Sequence, residues 1–288
     1  MKKMFMAVIA LMMTLSASAQ FYIYCKDGSV IVVDSISMIA PAEPVQGLFS
    51  VSSSKQVTFS PGNLQYNPAN NEWRFADNQT DYIGDANANI SSTYNGWIDL
   101  FGWSTVSSNF GVSTSTDYSD YSGSFVDWGT NKIGNDAPNT WRTLSKDEWE
   151  YLLNGRNNAT SLCGVAQVNG VNGLIFLPDN WTCPEGVTFK SGFHSSRGVD
   201  YYVTYQTFTA DQWSKMESVG AIFLPAAGYR VGTYVDDVHY HGSYWSATSY
   251  NGLNCCGVWD LCFHSDKSDM GDGDNILGLS VRLVKDVK

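Results

Sequence analysis

Charge is scarce in this sequence. Asp, Glu, Lys and Arg make up 16% of its 288 residues, and 17 basic residues face 28 acidic ones. The net charge of -11 repels nucleic-acid phosphates and anionic lipid alike, so neither is an expected partner. Beyond residue 20 no apolar run is long enough to span a bilayer. The six cysteines contain no Cys-x-x-Cys pair, so zinc-finger spacing is unmet. The four histidines form no Ser/His/Asp order and no Cys/His partnership that would support nucleophilic catalysis. Asp236 and Asp237 are adjacent, and as strand neighbours they point to opposite faces, which rules them out as a glycosidase carboxylate pair. A Gly-rich phosphate loop is missing as well. The expectation is a binding protein and not an enzyme, with no catalytic residues and no resident metal or cofactor.

The opening residues read as an export signal, residues 1–20. Met1-Lys2-Lys3 is cationic and Met4 to Leu15 is apolar. Ser16-Ala17-Ser18-Ala19 then supplies small residues for cleavage near Ala19 or Gln20. A buried N-terminal helix is the alternative. Tyr22-Ile23-Tyr24 before Cys25 is too bulky for a lipobox. The mature chain is therefore expected at the cell surface or secreted, where disulfides are permitted. Cys163 with Cys183 is the pairing favoured for a bridge, whereas the adjacent Cys255 and Cys256 are poorly placed to bridge each other.

The chain is 43% hydrophobic and 14% aromatic, enough to bury a core. Its abundance of Gly, Ser, Asn, Asp, Tyr and Trp suits short strands joined by many turns. Residues 21–45 form a small leading unit. Phe21 to Tyr24 and Val30 to Val33 flank Lys26-Asp27-Gly28-Ser29, a hairpin signal, and Ala40 to Pro44 reads as a linker. The main domain spans 46–288. Residues 104–140 are polar and aperiodic, as expected of a long surface loop. Trp97, Trp103, Trp141, Trp149 and Trp213 are expected in the core or in helix staples.

Two short helices share one grammar. Ser145 to Glu148 and Thr209 to Gln212 both form capping boxes, flanked by the staple pairs Leu144/Trp149 and Phe208/Trp213. Gly155 and Gly220 are placed to end them. Gly173 to Pro178 echoes Gly220 to Pro225, and both are apolar throughout, as strands covered on both faces require. Later strands are expected at Ser243 to Thr248, Val258 to Phe263 and Leu279 to Val284. In the last, Leu279, Val281 and Leu283 share one face and Ser280 and Arg282 the other. The fold class is α+β: two short helices on a mixed or antiparallel sheet with extensive loops, preceded by the small β-hairpin.

Four phrases occur in order: Trp141 to Tyr151, Phe223 to Arg230, Gly242 to Thr248, and Gly278 to Val284. Together they resemble the Fibrobacter succinogenes major paralogous domain group of exported Bacteroidetes proteins, over residues 46 to 286. That group is similar in fold to C-type lectin-like domains and to the formylglycine-generating sulfatase-modifying family. The resemblance implies a C-type lectin-like fold. It carries no enzyme role onto this chain, because none of Cys255, Cys256 or Cys262 aligns with the copper-site motif of that enzyme family. A narrower resemblance is to C-type lectin-like proteins diversified by retroelements. Tyr244-Trp245-Ser246-Ala247 stands where they have a fixed phrase, and Gly278 to Val284 where they have a closing strand. The Asn, Asp, Ser, Gly, Tyr, His and Cys residues between are the products of adenine replacement in Asn codons. An ordinary polar loop is the alternative reading.

The expected contact face is the 249–277 segment with the 231–241 loop. Its candidate ligand-binding residues are Tyr234, His239, Tyr240, His241, Tyr250, Asn251, Asn254, Asp260, His264, Asp266, Asp269, Asp272, Asp274 and Asn275. Rigid rings such as Tyr234, Tyr240 and Tyr250 give contact area at small entropic cost. The carboxylates of Asp266, Asp269, Asp272 and Asp274 are compatible with calcium, although their spacing is not that of an EF-hand. His239 and His241 alternate about Tyr240 and would hold a metal only if further ligands came near. The partner expected is a protein or glycan outside the cell. A fixed carbohydrate site, with or without calcium, is the alternative function, and a third is an enzyme related to the formylglycine-generating family with a reactive cysteine among Cys255, Cys256 and Cys262.

Overall fold

The structure is a computed structural model that describes residues 21–24, 30–33, 47–105, 107–250 and 257–287. The chain divides into two compact units, Met1–Glu43 and Pro44–Lys288. In the first, β1 (Phe21–Tyr24) and β2 (Val30–Val33) pair antiparallel, with Phe21 opposite Val33 and Tyr24 opposite Val30. The hairpin read from the sequence is thus present, while its turn and the linker lie outside the described residues.

The second unit is α+β. It opens with β3 (Phe49–Ser50), β4 (Gln56–Phe59), β5 (Leu64–Asn67) and β6 (Glu72–Phe75). Its middle holds α1 (Lys146–Glu150), β7 (Cys163–Val168), β8 (Val171–Phe176), α2 (Val199–Tyr205), β9 (Thr207–Phe208) and α3 (Ala210–Glu217). Strands follow: β10 (Ile222–Pro225), β11 (Tyr229–Val231), β12 (Tyr234–Asp236), β13 (Gly242–Ser249), β14 (Gly257–His264), β15 (Lys267–Asp274), β16 (Leu277–Gly278) and β17 (Val284–Asp286). Among the described residues no helix is long and apolar enough to cross a membrane.

The two echoing apolar runs are neighbours in one sheet of order β10-β8-β7-β9, with Ile222 opposite Phe176 and Leu224 opposite Leu174. Strand parity splits their side chains between two cores. Val165, Leu174, Phe176 and Leu224 pack with Trp149, Leu152 and Leu153 from α1 and the turn after it. Val168, Ile175 and Phe223 pack on the other side with Trp213 and Met216 of α3. Coverage on both faces is why these strands are apolar without alternation.

Both capping boxes form. Ser145 Oγ accepts from Glu148 N at 3.2 Å, and Glu148 Oε2 accepts from Ser145 N at 2.9 Å. Thr209 and Gln212 do the same at 3.3 and 3.0 Å. Each staple pair lies in a single core, Leu144 with Trp149 and Phe208 with Trp213. Short helices gain little from propensity alone, so these buried tryptophans hold them in place.

Four expectations need correction. A third helix, α2, follows Gly198, which caps it without a side chain. The 104–140 stretch is irregular but not merely surface: Tyr121 and Trp128 are fully buried, and Trp128 Nε1 donates to the Phe110 carbonyl at 2.8 Å. Cys163 and Cys183 are both free, because Cys163 faces the core on β7 while Cys183 is exposed. The run Leu279 to Val284 is not one continuous strand, since β16 ends at Gly278 and β17 starts at Val284. Leu279, Val281 and Leu283 do face a core, but Ser280 and Arg282 are buried too.

Candidate functional site

Most of the 249–277 segment is ladder and not loop. β13, β14 and β15 form an antiparallel meander with β14 in the centre. The β14–β15 connection is a two-residue turn, Ser265-Asp266, between the paired His264 and Lys267. Its tip is pinned from outside: His194 N donates to the Ser265 carbonyl at 2.7 Å, Gly198 N to Ser265 Oγ at 3.1 Å, and Arg197 pairs with Asp266 at 3.4 Å.

Alternation along β14 gives the meander two chemically distinct faces. Leu261 and Phe263 enter the core beside Tyr244, and Trp259 lies under the Lys146 ammonium. Asp260, Cys262 and His264 occupy the opposite face. The ladder register sets Ser243 against Cys262, Cys262 against Asp269, and Asp260 against Gly271. His241, one residue ahead of β13, completes the face: its ring stacks on His264 at 4.3 Å and 13°. A recess of about 430 Å³ opens over His241, Ser243, Asp260, Cys262 and Asp269, walled by Tyr229, Leu277 and Leu279.

The floor is densely polar. His241 Nε2 lies 3.0 Å from both Cys262 Sγ and Ser243 Oγ, with donor and acceptor set by the tautomer. Asp260 is 5% exposed; burial, with Asp269 and Asp272 adding, pushes its carboxyl up to about 7. Burial, with His264 adding, takes His241 down to about 3. Burial, together with Asp260 and Asp269, lifts the Cys262 thiol to about 12. Burial lowers His264 as well. The floor therefore offers neutral imidazoles and a protonated thiol at neutral pH, which suits hydrogen bonding better than nucleophilic attack.

The structure gathers some of the sequence-derived candidates and scatters others. His241 and Asp260 line the recess, while His264 is buried against the His241 ring and Tyr240 packs edge-on to it at 5.4 Å. Asp269 also lines it, paired with Lys267 at 2.7 Å. His239 is not with His241: it projects elsewhere and meets the Tyr82 hydroxyl at 3.0 Å. Tyr234 and Tyr250 are exposed, 63% and 48%. Asp272 lines the recess as well, whereas Asp274 does not and accepts from Tyr118 Oη at 3.0 Å. The four acidic residues thus form no single cage. Asn275 is buried and donates to the Tyr118 carbonyl at 3.2 Å, tying the meander to the 104–140 stretch. Asn251 and Asn254 lie outside the described residues.

No protein-family model, curated protein or solved structure matches this chain. The geometry therefore carries the functional argument.

Sequence reasoning missed Ser243 and Cys262 as floor residues. The available signal was the alternation Asp260-Leu261-Cys262-Phe263-His264, polar and apolar by turns, which puts three chemically active side chains on one strand face.

Proposed function

We propose that this chain is an exported ligand-binding protein of C-type lectin-like organisation, acting as a receptor or adhesin at the cell surface or in secreted form. It binds through the polar face of the β13–β14–β15 meander together with the exposed residues of the 231–241 loop. One observation carries the reading: β14 divides its side chains by parity, with Asp260 and Cys262 over an open recess and Leu261 and Phe263 in the core. A concave floor with convergent polar groups and apolar walls is what small ligands or protruding side chains fill. The ligand is a protein or glycan outside the cell.

The same parity supports the resemblance to retroelement-diversified proteins. Positions that look like products of adenine replacement face the recess, so rewriting them would alter recognition without disturbing the core. Deep sequencing of the 3′ end of the gene from the source population tests this. Variation is expected at codons 260 and 262 with 261 and 263 constant. A segment as constant as its flanks would instead mean a fixed site, to be screened with glycans and calcium. Binding itself is tested by replacing Tyr234, Asp269 and Asp272 with alanine, the last two lining the recess. These side chains are exposed, so each change should alter stability by no more than about 0.5 kcal/mol while capture of the ligand fails. Unfolding of the triple variant would place the face in the structural core and end the proposal.

A further inference from the structure

We propose that His241, Cys262 and His264 form a binding site for a thiophilic transition-metal ion of the zinc or cuprous class. One ring nitrogen from each histidine and the Cys262 sulfur lie within 4.8 Å of one another. His241 Nε2 is already 3.0 Å from Cys262 Sγ. His264 supplies an independent observation: it is 8% exposed, and its Nδ1 has no hydrogen-bond partner. Buried polar atoms in folded proteins are nearly always satisfied. An orphaned ring nitrogen beside a thiol and a second imidazole is explained by a further partner, and a metal ion is the partner that all three donors share.

The donor set selects the ion. Two imidazoles and a thiolate disfavour Ca²⁺ and Mg²⁺, which take oxygen ligands, and favour Zn²⁺ and Cu⁺. Register explains how the donors meet although 21 residues separate the first two. Gly242 pairs with Phe263, so the preceding residue, His241, lies beside His264, while Cys262 stands two places back on the same face. A metal lies in the plane of each imidazole that binds it, and these rings are stacked. Capture therefore turns one ring. Bonds of about 2.0–2.3 Å in tetrahedral geometry put donors about 3.5 Å apart, so side-chain rotation closes the site. On binding, the thiol releases its proton to solvent and sulfur donates its lone pair to the ion; no electron is transferred. Three protein ligands leave a fourth position toward the recess, open to water or to a donor on the bound ligand. The site stands on its own geometry and holds whatever the recess recognises.

The test uses the full chain stripped with a chelator. Zn²⁺ is titrated against a competing chelator, and Cu⁺ is titrated in a separate arm under reducing conditions. Bound metal is counted by elemental analysis. Co²⁺ serves as a spectroscopic probe, since thiolate ligation gives a near-ultraviolet charge-transfer band. The expected result is one equivalent of Zn²⁺ or Cu⁺ and the charge-transfer band. Cys262→Ser and His264→Gln should each weaken binding by at least the roughly 10–100-fold that loss of an outer-shell partner costs. Cys183→Ser and a Cys255→Ser/Cys256→Ser variant should bind as the parent does. Should Cys262→Ser fail to fold, the band in the Cys183 and Cys255/Cys256 variants, together with metal protection of Cys262 itself from alkylation, decides the matter. Failure of both ions to bind stoichiometrically, or undiminished binding by a folded Cys262→Ser chain, overturns the proposal.

Discussion

Gly271 sits directly across the ladder from Asp260, and a β-carbon on it would stand 3.1 Å from Asp260 Oδ1 and 3.4 Å from the Cys262 β-carbon. Gly273, two places on, would approach the same carboxyl oxygen at 3.4 Å. The edge strand is therefore bare of side chains where the central strand is most polar. The recess exists because two residues of β15 have nothing to put into it.

Filling that space should close the recess. In the folded Gly271→Val variant, a small uncharged maleimide is expected to label Cys262 several-fold more slowly than in the parent. Equal labelling rates would mean that the thiol is reached from a different side.

Asp99 supplies a pH dependence remote from the recess. It is fully buried, and burial lifts its carboxyl to about 6 against the opposing hydrogen bonds from Asn87 and Ile83. The unfolded chain releases this proton at the ordinary carboxylate value and the folded chain near 6. Stability contributed by the bound proton is present in acid and lost as pH rises through about 6. Asp99→Asn should remove that slope, a difference of about 3 kcal/mol between acid and neutral pH. Its absolute stability should also fall, because an amide must point a donor at either Asn87 or Ile83. Denaturant midpoints across the pH range read both effects.

Glu148 closes the α1 capping box and also binds Arg142 in bidentate fashion, at 2.7 and 2.8 Å, with Lys55 at 3.1 Å. Glu148→Ala should cost about 2–3 kcal/mol. Glu150, whose pairing with Lys146 is a surface i,i+4 contact, should cost no more than about 0.5 kcal/mol when changed to alanine. Urea unfolding of the two variants checks the contrast.

Gln79 is a hub for buried backbone and charge. Its Oε1 accepts from Phe223 N at 2.8 Å and from Arg282 Nη2 at 2.6 Å, while its Nε2 donates to the Ala221 carbonyl at 3.1 Å. Arg282 is 1% exposed and has no carboxylate partner among the described ion pairs. Gln79→Ala would strand a guanidinium and an amide together, at a cost of about 3 kcal/mol or more. A smaller loss in thermal or chemical unfolding would indicate that water enters and takes over these bonds.

Local signals were the legible ones. Both capping boxes and both staples could be read because their partners lie within five residues. The pairing of the two apolar runs left no local trace beyond their shared lack of alternation. Helix α2 was hidden by Val199, Tyr201, Tyr202 and Val203, residue types at home in strands, and by a glycine at its N-cap. Tertiary contact decides there, since Tyr202 is buried and its hydroxyl donates to the Tyr240 carbonyl at 3.0 Å. Among the site residues, His241 and His264 stood out by type, but their meeting through Cys262 depends on cross-strand register. Arg282 read as the polar side of a strand, and nothing near it in sequence signals that Gln79 waits to receive it.

The meander assigns alternate letters of one strand to separate tasks. On β14, Leu261 and Phe263 pack in the core while Asp260 and Cys262 line the recess. A change at either recess position leaves those core contacts in place, and its folding cost is set by the burial of the polar group it replaces.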